Sequence, residues 1–180
     1  MSFMQRVCES TEVVNTKSFT WTFSAQASPN FPRYIIVGFQ TDRKGSQTAN
    51  PALFDHCNIK TIQAVINGKN YPNEAYDLSF PDNNFSRAYR DAATFGAKFM
   101  GINELTTSCS IDTDEYRDLL PIFVLDVSKQ KELLKLTTVD IRIKAEFNEI
   151  VRANTQAYAL IISDKIGSFK SNGSELKFVE

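Results

Sequence analysis

Histidine is nearly missing from this chain: His56 is the one in 180 residues, beside a single tryptophan, three cysteines and seven glycines. One imidazole leaves a zinc site short of ligands and argues against a metalloenzyme built on several histidines. Cys8, Cys57 and Cys109 are an odd number at wide spacings, and no apolar signal segment follows Met1. Together these point to a reducing compartment, with the cysteines as small buried apolar residues and no disulfide framework. The sequons Asn84-Phe85-Ser86 and Asn172-Gly173-Ser174 are then chance matches. Charge of either sign is not in excess, with 20 Lys plus Arg against 21 Asp plus Glu. A chain that coats nucleic acid or anionic lipid through its own surface would usually be more basic, so neither partner is expected. No apolar run approaches the ~20 residues that span a bilayer.

What is present favours β structure. Aromatic residues make up 12% of the chain, with 14 Phe, and Val, Ile, Phe and Thr recur in short runs. The organising stretch is Phe31-Pro32-Arg33-Tyr34-Ile35-Ile36-Val37-Gly38-Phe39-Gln40-Thr41-Asp42. A Pro at its start cannot donate to a ladder, and four residues of high β-propensity follow unbroken, as in a central strand covered on both faces. Gly38 interrupts the run, which predicts a bulge or close approach by a neighbouring backbone. Before it, residues 1–14 form a first strand. Phe19, Trp21 and Phe23 alternate with Thr20, Thr22 and Ser24 at period two, so a half-buried strand follows. Ser28-Pro29-Asn30 turns the chain, and residues 42–54 are a polar surface loop.

A strand over residues 59–66 runs into Asn67-Gly68, a hairpin signal, and its partner is Lys69-Asn70-Tyr71-Pro72. The period then changes. Phe85, Ala88, Tyr89, Ala92, Phe95 and Phe99 fall at helical spacing, which predicts one inserted helix over about residues 83–100, capped by Asp82 or Asn83 and closed by Gly101. Arg87, Arg90, Asp91 and Lys98 read as its mixed, solvated face. Residues 106–114 are polar and looped, and 115–120 suit a single turn ending at Pro121. A buried run over 121–127 precedes a lysine-rich connection, 128–135. Residues 139–147 then alternate without a miss, five apolar positions inward and four charged outward. Residues 158–162 are another buried run, and 169–179 form a hairpin about Asn172-Gly173. Counted together, this is roughly eight strands with one helix between the fourth and fifth. The expected fold is an all-β, eight-stranded jelly-roll β-sandwich filling residues 1–180 as one domain.

Candidate sites are few. Asp55, His56 and Cys57 are contiguous, but adjacent strand residues alternate faces, so His56 and Cys57 should point apart, and His56 reads as a residue at the boundary of loop and strand. Asn67-Gly68-Lys69-Asn70 lacks the spacing and hydroxyl of a phosphate loop. Asp112, Asp114 and Glu115 sit in a polar stretch without the Gly and distal Glu of a calcium loop. Arg142 and Lys144 alternate with Asp140 and Glu146 on one strand face, suited to discouraging edge pairing or to paired contacts with a neighbouring subunit. The stripe Phe19, Trp21, Phe23 reads as core more readily than as a stacking platform. No catalytic, cofactor-binding or metal-ligating residue is assigned, no cofactor is expected, and the chain is read as no enzyme. Function is expected to lie in contacts made by a rigid β scaffold with long loops at 42–54 and 101–118.

Several blocks in order carry a resemblance: residues 31–42, Phe54-Asp55-His56-Cys57-Asn58, 67–72, 121–126 with Ser128-Lys129-Gln130, Val139-Asp140-Ile141-Arg142, and 155–162. They resemble the C-terminal jelly roll of double-jelly-roll major capsid proteins, in particular those of Polinton (Maverick) elements, adintovirus-like viruses and relatives integrated in arthropod genomes. The resemblance runs from about Val7 to about Ile166. It implies an eight-stranded jelly roll that works without catalytic residues. Such rolls stand two to a chain, and three chains form a pseudo-hexagonal capsomer. With room for one roll in 180 residues, the expected partners are further copies, as in a trimer, or companion jelly-roll subunits. The expected location is a virion capsid assembled inside the cell, not secreted, without membrane insertion or direct nucleic-acid contact. The alternative on the same fold is a module that recognises carbohydrate or a protein receptor through an exposed aromatic.

Overall fold

A computed structural model of the chain describes residues 2–23, 31–101, 111–130, 139–166, 168–171 and 176–179. Its strands are β1 (Ser2–Val13), β2 (Ser18–Thr22), β3 (Phe31–Thr41), β4 (Ile59–Ile66), β5 (Lys69–Tyr71), β6 (Phe123–Asp126), β7 (Ile141–Phe147), β8 (Thr155–Ile166), β9 (Ser168–Ser171) and β10 (Leu176–Val179). Two four-stranded antiparallel sheets result, one in the order β1-β8-β3-β6 and the other β2-β7-β4-β5, while β9 and β10 form a separate hairpin. The first eight strands pair as nested partners: β1 with β8, β2 with β7, β3 with β6 and β4 with β5. Folding that nested ribbon over on itself adds the β3–β8 and β4–β7 ladders. This winding of eight strands into two facing sheets is the jelly roll.

The core lies between the sheets. From β3 the side chains of Ile35, Val37 and Phe39 point inward and are fully buried, as are Ile62, Ala64 and Ile143 from the facing sheet. Phe39 bridges the layers, its ring 5.5 Å from that of Phe147 and at 80° to it. Residues 141–147 alternate buried and exposed throughout, as their sequence dictates, because the period-two pattern matches the pleat. Trp21 and Phe23 are both buried, with ring centroids 4.4 Å apart. The Asn67-Gly68 turn has positive φ at both positions, 49° and 80°, as a type I′ hairpin requires.

Gly38 is tight for a different reason from the one expected. A Cβ there would stand 2.5 Å from Cδ1 of Phe54, so a side-chain ring, not a backbone, presses on it. The bulge of β3 lies elsewhere, between Pro32 and Tyr34. It leaves Arg33 outside the ladder, where its Nε donates to Asp164 at 2.6 Å.

Helix α1 (Ser86–Met100) follows β5, so the inserted helix stands between the fifth and sixth strands rather than the fourth and fifth. It begins at Phe85, not at Asp82 or Asn83, and has no side-chain cap. Phe85 is instead buried and stacked on Phe80 at 5.2 Å, so packing occupies the position a capping residue would take. Gly101 does close the helix in the left-handed conformation, φ 66°. The helix lies against β6 and over the outer face of β3, where Tyr34 meets Phe95 edge-on at 5.1 Å. A second helix, α2 (Thr113–Asp118), forms partly within the stretch expected to be loop, because Asp112 caps it by accepting from the Glu115 amide at 2.7 Å. The Ser28-Pro29-Asn30 turn, most of residues 106–114 and 128–135, Cys109, and the Asn172-Gly173 turn lie outside the described residues.

Candidate functional site

The chain turns before β4 through Cys57 and Asn58, both with positive φ. His56 thus stands at the boundary of loop and strand, as expected, but His56 and Cys57 do not point apart as adjacent strand residues would; with Asp55 they line one open cavity of about 490 Å³ together with Asp42, Asp118 and Arg152. Asp55, His56 and Cys57 each make contacts within the fold. Nδ1 of His56 accepts the Asn58 amide at 2.9 Å, and the imidazole stacks on Phe80 at 4.5 Å. Burial lowers its pKa, and the nearby carboxylates of Asp55 and Asp118 offset that only in part. Asp55 accepts the Thr41 amide at 2.7 Å and pairs with Arg43 at 2.7 Å. Burial pushes the Cys57 thiol up to about 11, so it is held as a thiol at neutral pH, next to Thr41 Oγ1 at 4.0 Å. No hydrogen bond joins His56 to Cys57, and a nucleophile–base pair needs one.

The loop expected at the exterior, residues 42–54, folds back over the outer face of the β3 sheet. Gln40 Nε2 donates to the carbonyls of Pro51 and Leu53 at 2.8 and 2.9 Å, and Phe54 seats its ring over Gly38. Residues 44–48 at the tip are exposed. Beside Phe54 an apolar hollow of about 470 Å³ opens, lined by Cys8, Ile36, Ile122, Tyr158 and Leu160. On the opposite sheet β7 presents Arg142, Lys144 and Glu146 to solvent, and Arg142 pairs with Asp140, just before the strand, at 2.8 Å. The aromatic stripe contributes no platform, since Trp21 is 8% and Phe23 5% exposed.

One feature escaped the sequence. Between α1, β5 and β6 opens a cleft of about 510 Å³ that gathers Lys69, Arg87, Arg90, Lys98 and Lys129. The carboxylates on its walls, Asp91 and Asp126, are already engaged. Asp91 accepts the Tyr76 hydroxyl at 2.7 Å, and Asp126 accepts the Ser128 amide and hydroxyl at 2.9 and 2.6 Å. Arg87 lies over the Tyr76 ring, 4.7 Å from its centroid. In the sequence these cations belong to a hairpin turn, a solvated helix face and a connection. Only the fold brings them together, so no local spacing could have marked them.

Among the described residues no group of three or more His, Cys, Asp or Glu is placed to hold a metal ion. No helix among them is long and apolar enough to cross a membrane. No curated protein matches the sequence significantly. A family model described as double jelly roll-like domain matches residues 1–167, which span both four-stranded sheets through the end of β8. With the nested strand order above, that match places the chain in the double jelly roll-like domain family.

Proposed function

We propose that this protein is a structural building block of a viral or virus-derived shell, acting by self-association or by packing against a companion jelly roll. The observation that carries this reading is the match to the double jelly roll-like domain over residues 1–167 of a chain that winds one eight-stranded roll. The blocks at residues 31–42, 54–58, 121–130 and 155–162 support the narrower assignment to capsid proteins of Polinton and adintovirus-like elements. In this reading the role is non-catalytic, which is consistent with a His56 whose Nδ1 accepts the Asn58 amide and a Cys57 thiol held beside the Thr41 hydroxyl. The exposed tip of the 42–54 loop, the charged face of β7 and the apolar hollow beside Phe54 are among the surfaces open to contacts. A carbohydrate-binding module would need an exposed aromatic, and Trp21 and Phe23 are buried. The expected location is a capsid assembled inside the cell.

Light scattering after size exclusion, across protein concentration and salt, tests this. A trimer, a closed ring or concentration-driven growth is the expected result. A strict monomer at high concentration, both alone and mixed with a companion roll, would overturn it.

A further inference from the structure

Charge on this molecule is sorted to the two sides of α1. On one side is the cleft, where Lys69, Arg87, Arg90, Lys98 and Lys129 outnumber Asp91 and Asp126 for a net charge of +3. All five cations are exposed, and no ion pair among the described residues involves Lys69, Lys98 or Lys129. Arg90 reaches only a loose contact with Asp91, at 3.7 Å and with 69% of its side chain exposed. On the other side, Tyr89 of α1 packs against Tyr116 of α2, with ring centroids 5.4 Å apart. The turn of chain around Tyr116 carries Asp112, Asp114, Glu115 and Asp118 against Arg117 alone, a net charge of −3. Arg117 is spent locally, on Asp118 at 2.7 Å and Asp114 at 3.3 Å. Asp114 still has 77% of its side chain exposed.

The two surfaces carry equal and opposite charge in a chain whose net charge is −1, and no ion pair among the described residues joins a cleft cation to a corner carboxylate. We infer that the cleft between α1, β5 and β6 receives the acidic α2 corner of a second copy of this chain. The inference rests on the self-association reading and names its geometry. Because cleft and corner are different surfaces, the contact is heterologous, and it repeats head to tail until the rotation closes a ring. Arginine suits the cleft, since its planar fork can hold a carboxylate with two parallel bonds, and Arg87 is already oriented by the Tyr76 ring. The tyrosines and Phe95 that share the cleft supply apolar wall behind the charges.

Two paired variants test this: a cleft variant, Arg87→Glu with Lys98→Glu, and a corner variant, Asp114→Lys with Glu115→Lys. All four positions are exposed, and unchanged circular dichroism and Trp21 emission would report intact folding. Sedimentation velocity at low salt should show each variant alone associating about tenfold or more weakly than wild type. An equimolar mixture of the two should recover association, because the reversed cleft now fits the reversed corner. Raising salt should erase these differences. If wild type associates and the variants associate equally well, the inference fails while the assembly reading stands. If both variants weaken and the mixture does not recover, the pairing of cleft with corner is wrong and only overall charge matters. Saturation of the cleft by a short oligothymidylate, with self-association unchanged, would assign the cleft to nucleic acid and overturn the inference. A wild type that stays monomeric throughout removes the inference and autonomous assembly together.

Discussion

Single residues in this roll carry constraints their neighbours do not. Gly38 lacks a side chain because the Phe54 ring occupies the space, 2.5 Å from where a Cβ would stand. Gly38→Ala should therefore destabilise by about 1–3 kcal/mol through overpacking. Combined with Phe54→Ala it should cost clearly less than the sum of the two single changes, since one clash is shared. Urea unfolding of the four-member cycle measures this, and simple additivity would mean the contact is not what excludes a side chain. His56 gives a pH dependence with a definite sign. Burial holds its folded pKa below the ordinary 6.5, so the native state keeps the imidazole neutral while the unfolded chain takes up a proton. The contribution is present above about 6.5 and is lost as pH falls below it through the folded pKa. Protonation also removes the lone pair that accepts the Asn58 amide. Unfolding curves at neutral and mildly acidic pH should show a larger loss of stability in wild type than in His56→Asn, which keeps an acceptor without the titration. An equal loss in both would assign the acid sensitivity to the carboxylates.

Among the elements, β7 separates packing from surface most cleanly. Ile143 is fully buried between the sheets, so Ile143→Ala should cost about 2–5 kcal/mol. Lys144, next to it on the exposed face, should tolerate Ala within about 0.5 kcal/mol. Chemical denaturation distinguishes the two, and a comparable loss at both would contradict the sandwich orientation of the strand. This element was legible in the sequence because a strand with one wet face writes its orientation at period two. The same holds for the Asn67-Gly68 hairpin and the Gly101 closure, where local backbone conformation selects the residue. Legibility failed where tertiary packing overrode the local signal. Helix α1 starts at Phe85 because that ring is needed against Phe80, and residues 112–118 coil because Asp112 finds an amide to cap. Tyr76, Leu78 and Phe80 alternate at period two in a stretch too rich in polar and turn residues to read as a strand on its own. Those three residues pack into the core beside β4, to which Leu78 donates a backbone hydrogen bond.

At the scale of the whole molecule, the number and character of the strands were readable, but their partners were not, since pairing over long separations leaves no mark on either segment. The charged cleft is hidden for the same reason, being assembled from β5, α1 and the turn after β6. The nested order has a consequence in time. Ser2 lies opposite Ile166, so the first strand of the roll to be made finds its partner only among the last of the roll to emerge. Of the four nested pairs, β4 with β5 alone closes through a two-residue turn, which makes that hairpin the natural place for folding to begin. The other pairs must add outward from it, each across a longer loop than the last. Until β8 arrives, β3 and β1 wait with an unsatisfied edge, exposed to pairing with another nascent chain. A roll wound this way cannot complete its fold until β8 has been made. The concentration of unfinished chains, and not only of finished ones, then governs how much correctly wound protein is made.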